Sequence, residues 1–332
     1  MNTFFKLMLF ITTPFYLCNA LTFQDLVTLN DYRVLASTII ATKTLDLSDL
    51  EISNWTGFST CLALINNGQL IQTVILDNNT LTAANGGQTV LNTIVNIFTK
   101  TTTLHLVRCG LNANGITLPS LASLPLLTDL DVSYNTLIAG DLANIGSLRT
   151  ITALRLKNCA INETAGALPT TFFTNKPLLT LLDLSFNPIT TTNLLSISAL
   201  LKLTSLSLEA CEISTYFALP NTTQLKSLNL TNNPRLPSSM INQLPQATAL
   251  TTLKIAGCGI ASFPSNFFTA LSNLTVFDVS NNPLSASTLA AQFTSTVQRF
   301  LTLNQSNFIA YGSTPLTIPV SSFITLAQPP TC

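Results

Sequence analysis

An eleven-residue pattern, Leu-x-x-Leu-x-Leu-x-x-Asn/Cys-x-Leu, recurs nine times along this chain and restricts its fold more tightly than any other feature. The ninth position reads Asn79, Cys109, Asn135, Cys159, Asn187, Cys211, Asn233, Cys258 and Asn282. Asn and Cys alternate without a slip. Free choice between them would give strict alternation over nine sites roughly once in 250 trials, so the repeating unit is a pair of repeats. Successive ninth positions lie between 22 residues apart (Cys211 to Asn233) and 30 apart (Asn79 to Cys109). A unit of that size cannot bury its apolar face alone and must stack on its neighbours. The predicted fold class is α/β: a curved solenoid with a parallel β-sheet on the concave face, and with helices, 3-10 turns and loops on the convex face.

The alternating residues have a physical reading. After each short strand a tight turn leaves backbone N–H and C=O groups buried, which is costly unless they are paired. Asn both donates and accepts, so one side chain serves both kinds of group. Cys fits the same space as a small apolar residue with a weak S–H donor. Stacked strands lie about 4.8 Å apart, placing cysteines two repeats apart at about 10 Å. A disulfide needs Cα atoms within about 7 Å, so the four ladder cysteines are expected as buried free thiols.

The 332 residues are 47% hydrophobic and only 8% charged, with zero net charge. No basic patch for nucleic acid is present. Residues 1–20 read as a secretory signal: Lys6 in the n-region, an apolar run from Leu7 to Leu17, and small residues up to Ala20. Residues 21–41 are expected to form an N-terminal cap, 42–310 a repeat domain of about eleven repeats, and 311–332 a tail. No later stretch has 18 consecutive apolar residues, and Pro315, Pro319, Pro329 and Pro330 interrupt the tail, so no membrane span is expected in the mature chain. The expected location is extracellular. Cys332, the last residue, could link two chains. Seven Asn-x-Ser/Thr sequons occur, at Asn54, Asn78, Asn162, Asn221, Asn229, Asn273 and Asn304, with Asn54, Asn162 and Asn221 preferred as glycan acceptors.

The return segments carry their own signal. Val90, Leu91, Ile94, Val95 and Phe98 have helical spacing. Leu168-Pro169-x-x-Phe172-Phe173 matches Phe263-Pro264-x-x-Phe267-Phe268, and the aromatic pairs read as core filling shared between repeats. The segment Ile260 to Leu284, Ile-Ala-Ser-Phe-Pro-Ser-Asn-Phe-Phe-Thr-Ala-Leu-Ser-Asn-Leu-Thr-Val-Phe-Asp-Val-Ser-Asn-Asn-Pro-Leu, resembles an extracellular leucine-rich repeat of the typical class. The resemblance covers about residues 42–310. It implies binding of a protein, peptide or glycan on the concave sheet, as in receptor ectodomains and secreted inhibitors. The cysteine pair that often caps such ectodomains is missing.

Candidate ligand-binding residues lie on the predicted concave face: Arg108, Tyr134 and Phe186 at position eight, Lys157 and Glu209 at position seven, and Arg155 and Asp183 at position five. Aromatic residues and Arg dominate interfaces, and Tyr134 and Phe186 stand two repeats apart. Position five alternates in charge through Asp131, Arg155 and Asp183, so opposite charges are expected to stack across strands, a stabilising device worth about 0.2–1 kcal/mol per pair. A face whose charges cancel in this way favours a neutral ligand. Position two is a threonine column, Thr102, Thr128, Thr152, Thr180, Thr204, Thr251 and Thr275, suited to a half-exposed pleat.

No catalytic constellation emerges. His105 is the single histidine and faces away from Cys109; Asp131 and Asp183 flank Arg155, which would lower rather than raise a carboxyl pKa. No metal cluster or cofactor site is expected. The expected function is recognition; the alternatives are a scaffold or cell-surface matrix protein whose repeats serve shape alone, and an ectodomain-like subunit that signals through a partner.

Overall fold

Apolar residues at positions four and six of every repeat point the same way, so the chain buries them by coiling. In the computed structural model residues 41–52, 54–56, 58, 70–162, 168–169, 171–189, 194–284 and the backbone of 308–309 are described. The expected signal, most of the N-terminal cap, Cys61, Asn304, Cys332 and the tail lie outside them. The coils fall into two compact units that divide between Leu126 and Leu127.

The first unit contains strands β1 (Thr44–Asp46), β2 (Thr73–Ile75) and β3 (Thr103–His105), paired in parallel with Leu45, Val74 and Leu104 in register. Its long return is helix α1 (Gly87–Ile97), as the spacing of Val90 to Phe98 predicts. The turn into α1 needs the left-handed backbone of Gly86 (φ 84°), while Asn85 Oδ1 accepts from Thr82 N and Gly87 N.

The second unit stacks β4 (Asp129–Asp131), β5 (Ala153–Arg155), β6 (Leu181–Asp183), β7 (Ser205–Ser207), β8 (Ser227–Asn229), β9 (Thr252–Lys254), β10 (Val276–Asp278) and β11 (Phe308–Ile309). All pair in parallel and in sequence order, with Leu130, Leu154, Leu182, Leu206, Leu228, Leu253 and Phe277 in one register row. Its returns include α2 (Ala139–Gly146), α3 (Ser238–Gln243) and α4 (Phe267–Ala270). Phe172 and Phe173 are buried in edge-on contact, and Phe263, Phe267, Phe268 and Phe277 form a second aromatic cluster, so both aromatic motifs fill the core.

The ladder explains the alternation. Asn187 Oδ1 accepts from Cys159 N (2.8 Å) and Ile161 N (3.0 Å), while its Nδ2 donates to the carbonyls of Leu156 and Leu184. Asn233 and Asn282 repeat this with Cys211 and Ile213, and with Cys258 and Ile260. Asn187, Asn233 and Asn282 therefore each cap the cysteine repeat before them, and Asn79 Oδ1 accepts from Ile52 N of the coil before it. Each cysteine in turn donates its S–H to the asparagine repeat before it: Cys109 to Leu76 O, Cys159 to Val132 O, Cys211 to Leu184 O and Cys258 to Leu230 O, at 3.0–3.3 Å. A thiol cannot serve the preceding coil's position-eleven N–H as an amide does. That N–H, of Leu81, Leu137 or Ile189, is taken instead by the main-chain carbonyl of the cysteine. Burial pushes the thiols of Cys109, Cys159 and Cys211 up to about 12 and that of Cys258 up to about 11, so all four keep the proton they donate. All four are unbonded to one another.

Position ten alternates too. Cysteine repeats place Gly110, Ala160, Glu212 and Gly259 there in left-handed backbone (φ 56–76°). Asparagine repeats carry Thr80, Thr136, Pro188, Pro234 and Pro283, and proline fixes φ near −65°. The two kinds of turn thus differ in backbone as well as in side chain.

Helix α2 is matched at both ends. Asp141 accepts from Ile138 N at its start, and Lys176 Nζ donates to Ile145 O (2.8 Å) and Gly146 O (3.3 Å) at its end. Lys176 is fully buried, with Nζ 4.4 Å from the Phe172 ring centre. Desolvation lowers its pKa to about 7.

Two predictions follow from this packing. Asn187→Cys orphans Cys159 N and Ile161 N, at about 1–3 kcal/mol for each buried N–H. Cys159→Ala leaves Val132 O still bonded to Asn135 Nδ2 and costs about 1 kcal/mol. Urea denaturation of the two variants should separate them clearly; equal losses would refute the division of labour. For Lys176, the folded chain binds fewer protons than the unfolded chain between pH 7 and pH 10.5, so this group adds stability as pH rises through 7. The four thiols act oppositely, because near pH 9 they ionise only in the unfolded chain. Unfolding midpoints should therefore rise from pH 7 to about 8 and fall above about 9, and Lys176→Met should remove the rise while leaving the fall.

Candidate functional site

The exposed side of the second unit's sheet is built from positions that the ladder does not use. Position eight is left-handed in every repeat: Asn78, Arg108, Tyr134, Asn158, Phe186, Ala210, Asn232, Gly257 and Asn281 have φ between 51° and 62°. The cause is the stacking itself. In the second unit the position-eight N–H donates to the position-seven carbonyl of the next coil, as Tyr134 N does to Lys157 O and Phe186 N to Glu209 O, both at 2.7 Å. Asn and Gly adopt this backbone readily, whereas for a bulky residue it is an outlier. Tyr134 (φ 60°) and Phe186 (φ 61°) occupy it nonetheless, at a cost of about 1–2 kcal/mol each.

These two rings share one cation. Lys157 Nζ lies 5.8 Å from the Tyr134 ring centre and 4.7 Å from that of Phe186. Phe186 is 40% exposed, and Tyr134 and Lys157 are half-buried. Position seven thus supplies the lysine from β5's coil, and position eight the rings from the coils on either side. Of the remaining candidates, Glu209 Oε2 accepts from Asn229 Nδ2 (3.1 Å). Arg108 is exposed and belongs to the first unit.

The expected charge row along position five needs correction. Asp131, Arg155 and Asp183 are indeed register partners, but Arg155 Nη1 pairs with Asp129 at position three of β4 (2.6 Å). The position-five acids work within their own coil: Asp131 Oδ1 accepts from Ser133 N, Asp183 Oδ1 from Ser185 N and Asp278 Oδ1 from Ser280 N. Asn229 Oδ1 does the same for Thr231 N. Side-chain caps of this kind span two residues, so the local turn outweighs the lateral pair. Cysteine repeats cap this turn from the neighbouring coil: Asp77 Oδ1 accepts from Val107 N, Ser133 Oγ from Lys157 N and Ser185 Oγ from Glu209 N. An acid or amide at position five of asparagine repeats is therefore a turn cap.

The threonine column is likewise structural. The hydroxyls of Thr152, Thr180, Thr204 and Thr275 donate at 2.9–3.1 Å to the carbonyl of the preceding threonine in the column. Thr251 donates to Lys226 O, where the column is broken. With these groups committed, the Tyr134–Lys157–Phe186 row is what departs from the repeat pattern on this face.

No known family profile matches the sequence. Over 176 residues it is 30% identical to mouse CD180 antigen, covering 52% of this chain and 26% of that protein. The chain thus spans about a quarter of this curated relative's length. Its fold is similar to that in the crystal structure of the mouse RP105/MD-1 complex (TM-score 0.53, 20% identity, 86% of this chain and 44% of that one). The fold is a leucine-rich-repeat solenoid. The parallel coils, the Asn/Cys ladder and this likeness agree on that point.

Sequence reasoning about the leucine-rich-repeat chain picked out Tyr134, Lys157 and Phe186 without seeing that they meet around one ammonium. It missed the left-handed backbone at position eight, although Asn in four of nine repeats and Gly in a fifth signal it. The thiols face inward and stay protonated, which makes them poor nucleophiles. Among the described residues no group of three His, Cys, Asp or Glu could hold a metal ion, and no helix is long and apolar enough to cross a membrane. The sequons Asn54, Asn78 and Asn273 are exposed, whereas Asn162, Asn221 and Asn229 are half-buried.

Relief of backbone strain in Tyr134→Asn or Phe186→Asn, about 1–2 kcal/mol, opposes the lost cation–π contact of about 0.5–1 kcal/mol. Each variant should keep its stability or gain up to about 1 kcal/mol. A loss above that in denaturant titrations would make the rings structural.

Proposed function

We propose that this chain is an exported, non-catalytic recognition protein that binds a protein, peptide or glycan ligand on the exposed face of the second unit's sheet. Tyr134, Lys157 and Phe186 form the centre of the contact, with Arg155, Asp183 and Glu209 beside it; Arg108, a separate candidate, belongs to the first unit. The observation that carries this reading is the placement of two large rings in a backbone conformation that favours Asn or Gly, on a face where the threonines and position-five acids already satisfy the main chain. Residues held against their backbone preference concentrate at functional sites. The mouse RP105 chain, similar in fold, is crystallised in complex with MD-1, which suits a protein ligand. Export is proposed from residues 1–20, and glycan attachment at Asn54, Asn162 and Asn221 accompanies it.

The scaffold reading draws support from the same threonine and Asx bonds, because they show that most of the face serves the coils. It gives no reason for the strained rings. An ectodomain-like subunit that signals through a partner would use the same patch.

The deciding experiment compares the wild-type chain with the Tyr134→Asn/Phe186→Asn double variant, both immobilised and exposed to extracellular proteins and glycans. Capture should fall by about tenfold or more with the fold retained, because aromatic anchors dominate interface energies. Equal capture by both would rule the ring patch out as the binding site, and no capture by either would favour the scaffold reading.

A further inference from the structure

We propose that the Tyr134–Lys157–Phe186 row is a site for an acidic side chain on a protein or peptide partner. The inference rests on the recognition reading above and gives the ligand its chemistry.

Lys157 is the starting point. Its ammonium lies between two rings, and among the described residues it makes no ion pair and no side-chain hydrogen bond. The carboxylates of neighbouring coils are engaged elsewhere: Asp129 with Arg155, Asp131 and Asp183 with their own turns, and Glu209 with Asn229. The cation is therefore matched only by ring faces, which are weaker partners for an ammonium than a carboxylate. The rings also keep water from part of the lysine, so an arriving carboxylate meets it at a lower effective dielectric than at an open surface. Phe186, 40% exposed, offers apolar area for a side chain next to the acid. This narrows the expectation of a neutral ligand: the acids of the neighbouring coils are held by their own turns, and the ammonium between the rings is left to a carboxylate from outside the chain.

A protein segment suits the row better than a sugar. Hydroxyl-rich ligands need many side-chain donors and acceptors, whereas the row is built from one ammonium and two aromatic rings. That combination is the complement of an Asp or Glu flanked by an apolar residue.

The test is selection of a displayed random heptapeptide library on the folded full-length chain. Enriched peptides should carry Asp or Glu. Changing that residue to its amide, or Lys157→Met in the chain, should weaken binding by about tenfold or more, whereas Lys157→Arg should restore most of it. Affinity should fall as salt rises. Urea midpoints of the variants verify that the fold persists. Enriched peptides without an acid, or insensitive to Lys157→Met yet lost with Tyr134→Asn/Phe186→Asn, would overturn the acidic-ligand inference and leave the recognition patch standing. Peptide binding insensitive to both changes would overturn the patch as well. No enrichment over the double variant overturns the inference, as does Lys157-dependent binding on an array of sialylated and uronic-acid glycans without peptide binding.

Discussion

The side-chain amides of Asn187, Asn233 and Asn282 each hold two N–H groups of the preceding coil and the carbonyls that close their own turn. Everything else on the sheet inherits its geometry from that bond set. A coil without it would bury two donors with no acceptor, at a cost of about 1–3 kcal/mol each. The cysteine coil needs no amide of its own because its successor supplies one, and it returns a single S–H. Alternation is then a bonding requirement: two successive cysteine coils would leave the first uncapped.

The same dependence sets the two backbones at position ten. Where the asparagine caps its predecessor, proline or threonine follows. Where cysteine stands, the chain turns left-handed through Gly110, Ala160, Glu212 or Gly259. The turn caps follow the same parity. Four asparagine coils cap their own position-seven N–H with Asp131, Asp183, Asn229 or Asp278, and the coils of Cys109, Cys159 and Cys211 borrow an oxygen from the coil before. Ladder, turn and cap thus form one two-coil cooperative unit, and a change at one level is felt at the others.

Much of this was legible in the sequence, for identifiable reasons. Leucine spacing and the Asn/Cys column report burial and hydrogen-bond capacity, which depend on residue type and period alone. Free buried thiols follow from strand spacing. The position-five charges misled because sequence spacing gives the lateral neighbour but not the competition: Asp131 finds Ser133 N two residues away, and Arg155 turns to Asp129. Lys176 was not singled out, since nothing in Lys-Pro-Leu-Leu shows that its ammonium reaches the end of α2 and lies against Phe172. The ring pair was visible as an irregularity at position eight, but not its shared lysine, because cross-coil contact depends on where the left-handed turn throws each side chain.

Stacking forces position eight into left-handed backbone in every coil, so the residue most compatible with the fold there is Asn or Gly, and five of nine coils comply. A side chain chosen for the fold and one chosen for a ligand are therefore distinguishable at this position, which they are not at the threonine column, where the preferred β-branched residue also bonds the main chain. Tyr134 and Phe186 oppose the backbone preference at about 1–2 kcal/mol each, more than a half-exposed cation–π contact returns. On these two terms the backbone cost is the larger. An interaction outside the chain is what would offset it, and the cation held between the rings gives that interaction its sign.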